Sequence, residues 1–163
     1  RACHLRGGFL LSEMGLGKTV MSLALILQNG ARSDDQDGWR GPKKWLKGGT
    51  IILVPPILVR QWMKEIKRHV APGTWTVLEY SAQVKDKGKL TPEAFAKADI
   101  VVASTSLMNL SRLQNVEDPW KGVPKHPFSQ VWFHRMVVDE LHVTGSAAAD
   151  VFATNRWLLS GTP

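Results

Sequence analysis

Short β-prone apolar runs alternate along the chain with helix-prone stretches of mixed polarity. Two of the runs, TIILV and DIVVA, are apolar at nearly every position, as in strands that a parallel sheet buries on both faces. Strands alternating with helices predict an α/β fold with a mainly parallel central sheet flanked by helices. The predicted strands cover residues 8–11, 50–54, 74–80, 99–103, 131–138 and 156–160.

The helix-prone stretches differ in how they distribute their apolar residues. Residues 18–28 are apolar on most sides and are expected to be well buried, whereas the helix from Pro56 to about residue 70 places Val59, Trp62 and Ile66 on one face. We interpret Trp62 as a core residue. A short helix is predicted with Thr91 as its N-cap and a proline at its first position. Further helical turns are expected after residue 104 and at 147–153, and surface insertions near 30–49 and 112–128.

Length and composition narrow the class of protein. A chain of 163 residues suits one domain, 1–163, and because it begins with Arg1 we expect the natural N-terminus to lie upstream. The single cysteine excludes an internal disulfide framework and favours an intracellular protein, and no apolar run is long enough for a membrane. The net charge of +7 fits a nucleic-acid partner, or equally a basic protein that has none.

The sequence GLGKT at residues 15–19 stands between a predicted strand and a predicted helix. Glycines let such a loop turn its N–H groups toward phosphate oxygens, and the helix N-terminus adds positive partial charge. The lysine is expected to reach the β- and γ-phosphates and the threonine hydroxyl to bind Mg²⁺. The alternative is a plain glycine-rich turn, since the first glycine of the general pattern is a serine here. The predicted nucleotide-binding residues are Ser12, Glu13, Met14, Gly15, Leu16, Gly17, Lys18 and Thr19.

A pair of acids, Asp139 and Glu140, follows the predicted strand 131–138. The position suits Asp139 to hold Mg²⁺ and Glu140 to orient an attacking water, which makes both catalytic candidates together with Lys18. His142 is a candidate for sensing the γ-phosphate or for coupling two lobes, or is structural. Hydroxyls after the last strand are candidates for coupling hydrolysis to work, although SGTP is also an ordinary turn; they belong to Ser160 and Thr162.

Candidate nucleic-acid contacts are weaker. A helix that starts at Pro56 would offer backbone N–H groups to a phosphate, and Arg60 begins a basic stripe on it, which could equally be a solvated face. The hydroxyls of Ser104 and Thr105 suit either a phosphate contact or a helix cap.

In their order along the chain, these motifs resemble the first lobe of Swi/Snf-type ATPases of helicase superfamily two. GGFLLSEMGLGKT is similar to motif I, TIILVPPILVRQWMKEIKRH to motif Ia, FHRMVVDELH to motif II and RWLLSGTP to motif III. DIVVASTSLM is similar to a further segment that usually ends in Thr-Tyr. The departures are Ser12 for the usual Asp, Leu141 for a small residue, Ser106 for Tyr, and a short segment after motif II.

The resemblance implies a RecA-like P-loop NTPase lobe that uses ATP and Mg²⁺, in a nuclear enzyme that moves along double-stranded DNA in chromatin remodelling or DNA repair. The loop after motif I is similar to that of the RING-bearing subgroup of DNA-damage tolerance. The resemblance also implies a second RecA-like lobe that carries arginine fingers, so we expect this chain to be a truncated first lobe with weak or no turnover. Alternatives are a superfamily-two RNA helicase lobe, which the SGTP motif disfavours, and a truncated, inactive nucleotide- or DNA-binding module.

Overall fold

The computed structural model describes residues 6–13, 15–30, 45–84, 90–107, 130–140, 142, 148 and 151–161. Within these ranges, six strands form one sheet in the spatial order β1-β6-β5-β2-β4-β3, and neighbouring strands pair in parallel throughout. The α/β class and the parallel sheet are thereby confirmed. The strands are β1 Gly7–Leu11, β2 Leu46–Val54, β3 Val77–Tyr80, β4 Ile100–Ser104, β5 Val131–Val138 and β6 Phe152–Ser160.

The helices of the described residues cover the two faces of this sheet. They are α1 Lys18–Gln28, α2 Val59–His69, which follows a 3₁₀ turn at Pro56–Leu58, and α3 Pro92–Lys97. Side chains of α1 and α2 pack with Ile52 and Val54 of β2, whereas Phe95 of α3 packs with Ile51 and Leu53. Successive side chains of β2 therefore point alternately into two separate cores, one on each face of the sheet, as strand geometry requires.

The cap of α3 matches its prediction. The Thr91 side chain accepts a hydrogen bond from the N–H of Ala94, and Pro92 is the first residue of the helix. This is the arrangement that an N-cap threonine and a proline at the first position favour.

Three strands start three or more residues away from their predicted starts, whereas β1 and β4 differ by one residue. β2 starts at Leu46 because residues 46–48 pair with 131–133 of β5, so the insertion predicted near 30–49 does not include them. β6 starts at Phe152, where a helix was predicted, because Phe152 and Ala153 pair with β5 and the Phe152 ring packs against Trp45. β3 starts three residues late, at Val77, after a turn. The insertion predicted near 112–128 lies outside the described residues.

The prediction that α1 is well buried on most sides is wrong for this structure. Among its residues only Ser22, Leu23 and Ile26 are buried, while Leu27 remains 62% exposed. A helix on a sheet buries one stripe at spacings of three and four, and its apolar composition does not change that geometry. The outer face of α1 also exposes Val20 and Met21.

The close approach of Gly49 in β2 to Asp99, the residue before β4, gives a testable prediction about the stability of the fold. A Cβ at Gly49 would lie 2.3 Å from the Asp99 carbonyl oxygen, which the N–H of Thr50 holds at 2.9 Å. Gly49→Ala is therefore expected to destabilise the fold by about 1–3 kcal/mol through overpacking. Gly30→Ala, whose Cβ would come no closer than 4.0 Å to its neighbours, is the control and should change stability by less than about 0.5 kcal/mol. Equal urea midpoints for the two variants would contradict the packing argument.

Candidate active site

The loop between β1 and α1 is built on two glycines with left-handed backbone. Gly15 and Gly17 have φ angles of 85° and 79°, a region that glycine adopts without steric cost. A Cβ at either position would meet no atom of the described residues within 4 Å, so the left-handed conformation is what favours glycine there. Gly17 caps the first turn of α1, and the N-terminus of that helix therefore faces the loop.

The Lys18 side chain folds back over this loop. Its Nζ donates hydrogen bonds to the carbonyl oxygens of Ser12 and Glu13, at 2.6 and 3.0 Å. The Ser12 Oγ is buried and finds no hydrogen-bond partner among the described residues, while the Ser12 N–H donates to the Ser160 carbonyl at 3.3 Å. The Lys18 ammonium over the glycine loop, together with the Ser12 hydroxyl, suits a polyanionic ligand such as a nucleotide phosphate. Of the predicted loop residues, Met14 lies outside the described part of the chain.

Asp139 stands at the end of β5 with its backbone and both carboxylate oxygens bonded. Its N–H donates to the Leu53 carbonyl at 2.9 Å, which extends the pairing of β5 with β2. The Oδ1 accepts the N–H of Glu140 at 3.0 Å, and the Oδ2 accepts the indole Nε1–H of Trp62 at 2.8 Å. The carboxylate is therefore fixed by two donors, one from the next residue and one from α2.

The bond from Trp62 to Asp139 is a contact within the candidate site that the sequence reasoning missed. Trp62 is buried as predicted, at 1% exposure, but its side chain does more than fill the core. A buried indole N–H requires an acceptor, which is the signal that could have been used. Local periodicity could not identify an acceptor 77 residues away.

Glu140 has a backbone conformation that is unusual for its residue type. Its φ is +52°, and it is the non-glycine residue with positive φ in the described part of the chain. His142 Nδ1 lies 3.4 Å from its Oε2, so the histidine predicted to read the γ-phosphate contacts the second acid of the pair. The role of His142 as a γ-phosphate sensor stays a prediction.

The candidate coupling and nucleic-acid residues divide into exposed and buried ones. Pro56 and Arg60 are both exposed, as a docking role requires, but Pro56 lies in the 3₁₀ turn before α2, which starts at Val59 and not at Pro56 as predicted. Ser104 and Thr105 are only 1% and 4% exposed, and the Ser104 Oγ lies 2.9 Å from the Ser106 Oγ, so the structure does not support direct phosphate contact by these two hydroxyls. Ser160 is buried behind the glycine loop, and Thr162 lies outside the described residues.

Two other kinds of site are not found in the described residues. No group of three or more His, Cys, Asp or Glu side chains there is placed to hold a metal by itself. None of the described helices is long and apolar enough to cross a bilayer.

Comparison with known families gives a match over the whole length. A family model described as the SNF2-related domain matches residues 1–163. The chain belongs to this family. The resemblance to Swi/Snf-type ATPases of helicase superfamily two is thereby confirmed.

Curated relatives of this SNF2-related lobe include DNA repair proteins. The alignment with the DNA repair protein RAD5B of Arabidopsis thaliana covers 97% of this chain at 31% identity. The alignment with RAD5 of Debaryomyces hansenii covers 97% of this chain at 29% identity. The chain is 28% identical to an uncharacterized ATP-dependent helicase of Schizosaccharomyces pombe, again over 97%. The chain spans only 14%, 14% and 16% of these relatives. The likeness to RAD5 proteins supports the subgroup that the loop after motif I indicated.

Solved structures with the same fold include two complexes with DNA. The Sulfolobus solfataricus SWI2/SNF2 ATPase core in complex with dsDNA superposes with a TM-score of 0.58 at 20% identity, covering 95% of this chain and 27% of that one. A nuclease-deletion mutant of the Type ISP restriction-modification enzyme LlaGI, with a DNA substrate mimic, gives 0.53 at 17% identity, covering 96% and 15%. These matches confirm the RecA-like fold of the lobe.

The positive φ of Glu140 gives a testable prediction about the stability of the fold. A positive φ costs a side-chain-bearing residue about 1–2 kcal/mol relative to glycine. Glu140→Gly should therefore be more stable than Glu140→Ala by about 1 kcal/mol, since both lack the carboxylate and only one relieves the backbone. Denaturant unfolding measures the difference, and an alanine variant as stable as the glycine variant would argue against strain at this position.

Proposed function

We propose that the chain is the ATP-binding lobe of a DNA-dependent ATPase that translocates on double-stranded DNA in the nucleus, in DNA repair or chromatin remodelling. The observation that carries the proposal is the placement of Lys18 and Asp139. Lys18 folds over left-handed glycines at the start of α1, and Asp139 follows a parallel strand of the same sheet. Family membership and the RAD5 relatives support the DNA repair setting.

The loop residues would bind and orient the phosphates of ATP. The backbone N–H groups of residues 15–17 and the N-terminus of α1 attract phosphate oxygens. Lys18 would exchange the Ser12 and Glu13 carbonyls for β- and γ-phosphate oxygens, which are stronger acceptors because they are charged. The unpartnered Ser12 hydroxyl supplies one more donor at this point.

The two acids would have different roles, Asp139 in holding the metal and Glu140 in orienting the attacking water. Thr19 and Asp139 are the residues that would hold Mg²⁺, which when bound neutralises charge on the β- and γ-phosphate oxygens. Glu140 would accept a hydrogen bond from the attacking water and orient it toward the γ-phosphorus. His142, 3.4 Å from the Glu140 carboxylate, would help to set the direction of that carboxylate.

A partner lobe is part of this proposal. The chain spans about a seventh of its RAD5 relatives, and we propose that a second RecA-like lobe supplies the arginine fingers. Such fingers raise the turnover rate about 10³- to 10⁵-fold in related phosphoryl transfers. The lobe by itself would bind ATP·Mg²⁺ weakly and turn it over slowly or not at all.

The surface around the start of α2 would contact the DNA backbone. Pro56 and Arg60 are exposed there, and the basic side chains of Lys64 and Lys67 are exposed further along the same helix. Phosphate contacts of this kind position a duplex without reading its sequence, which suits an enzyme that moves along DNA.

Nucleotide binding tests the first step of the proposal. Lys18→Ala removes charge-assisted hydrogen bonds to phosphate and should weaken ATP·Mg²⁺ binding about 10- to 100-fold in calorimetry. Lys97→Ala, an exposed lysine on α3, is the matched control and should bind as the wild type does. Negligible affinity in the wild type itself would refute the nucleotide site.

A further inference from the structure

The indole of Trp62 connects α2 to the acidic pair across the interior of the lobe. Its Nε1–H donates to the Asp139 Oδ2 at 2.8 Å, and the two residues are 1% and 8% exposed. The ring packs in the core cluster that contains Leu23, Ile52 and Val137. Close packing on this scale fixes a side chain, so the indole cannot leave Asp139 without opening the core.

Asp139 is thus held by hydrogen bonds from three directions. β2 accepts its backbone N–H, the Glu140 N–H holds Oδ1, and Trp62 holds Oδ2. An indole N–H can only donate, which matches it to a carboxylate oxygen. The bonds consequently set the orientation of the carboxylate.

The opposite face of α2 is exposed and basic. Arg60, Lys64 and Lys67 lie there in solvent, while Val59, Trp62 and Ile66 point into the core. Arg60 and Trp62 belong to the same eleven-residue helix, so a ligand bound to its outer face acts on the element that carries the indole.

From this arrangement we propose that Trp62 is a positioning residue that orients Asp139 for Mg²⁺ and couples α2 to the nucleotide site. The inference rests on the proposed function, because it requires Asp139 to act on the metal that accompanies ATP. Residues that orient a metal ligand by hydrogen bonding are commonly worth about 10- to 100-fold in metal affinity.

Calorimetry with and without the metal measures the positioning. In the wild type, Mg²⁺ should raise the affinity for ATP relative to the same titration in EDTA. Trp62→Phe keeps an aromatic ring and loses the N–H donor, so the gain from Mg²⁺ should fall about 10- to 100-fold while the affinity in EDTA stays within about twofold.

The matched control is Trp75→Phe. Trp75 packs against the same core cluster, and no described residue accepts a hydrogen bond from its indole. This variant should retain the full gain from Mg²⁺, which separates loss of the donor from general loss of core packing. An Mg²⁺ gain in Trp62→Phe equal to that of the wild type would overturn the proposal.

A second measurement uses the wild-type chain and so does not depend on whether the variant folds. The indole ¹H–¹⁵N resonance of Trp62, assigned from the backbone, should shift when Mg²⁺ is added to chain saturated with ATP, and again when a DNA duplex is added without nucleotide. The Trp75 resonance should stay in place in both titrations. An unmoved Trp62 resonance with Mg²⁺ would overturn the positioning role, and an unmoved one with DNA would overturn the coupling.

These outcomes are distinct from a failure of the proposed function. A wild-type chain that binds no ATP in either titration would remove the nucleotide site and this inference together. A wild-type chain that binds ATP with a clear Mg²⁺ gain, beside a Trp62→Phe variant with the same gain, would remove the inference alone.

Discussion

Parallel pairing of β5 with β2 on one side and β6 on the other is the constraint on which the rest of the site depends. In register, Leu53 stands beside Val138, Val138 beside Leu158, and Leu11 beside Ser160. The carboxyl ends of these strands therefore reach the same edge of the sheet, and the chain segments that follow them emerge together there. The glycine loop after β1 and the acids after β5 occupy one edge for this reason, although more than a hundred residues separate them in sequence.

Within that frame, hydrogen bonds and backbone conformation define where the catalytic candidates lie. Lys18 is held by two loop carbonyls, Asp139 by two donors, and Glu140 sits in a strained backbone conformation. The hydrogen bonds to Asp139 fix its carboxylate, and a group fixed in this way needs little reorganisation as charge develops in a transition state. In the proposed scheme, the second lobe adds positive charge on the far side of the γ-phosphate.

Much of this arrangement could be predicted from local sequence signals, and the part that could not shares a physical cause. Apolar runs located the strands, and the loop and acid motifs followed from their positions at strand ends. Periodicity reports which face of an element is apolar but not what covers it, so the exposure of Leu27 and the start of β6 at Phe152 were missed. Contacts between distant residues leave no local signal either, and the bond from Trp62 to Asp139 is one of them.

Arg135 also makes contacts with residues that are distant in sequence. It is 2% exposed in the middle of β5, where a charge is unexpected, and burial lowers the pKa of its guanidinium. Its Nη2 donates to the Asn29 carbonyl at the C-terminal end of α1, at 2.5 Å, and its Nη1 donates to the Thr50 Oγ1 at 3.3 Å. A cation at a helix C-terminus satisfies a free carbonyl and favours the helix dipole. The strand that presents Asp139 thus also anchors the far end of the helix that begins with Lys18.

The central claim, a nucleotide site that works as half of a DNA motor, is tested most directly by ATP hydrolysis in the protein that carries this lobe together with a second one. Turnover should rise on addition of duplex DNA, should respond little to RNA, and should be lost in Glu140→Gln while ATP binding is retained. Turnover that DNA does not change, or that survives Glu140→Gln, would contradict the account.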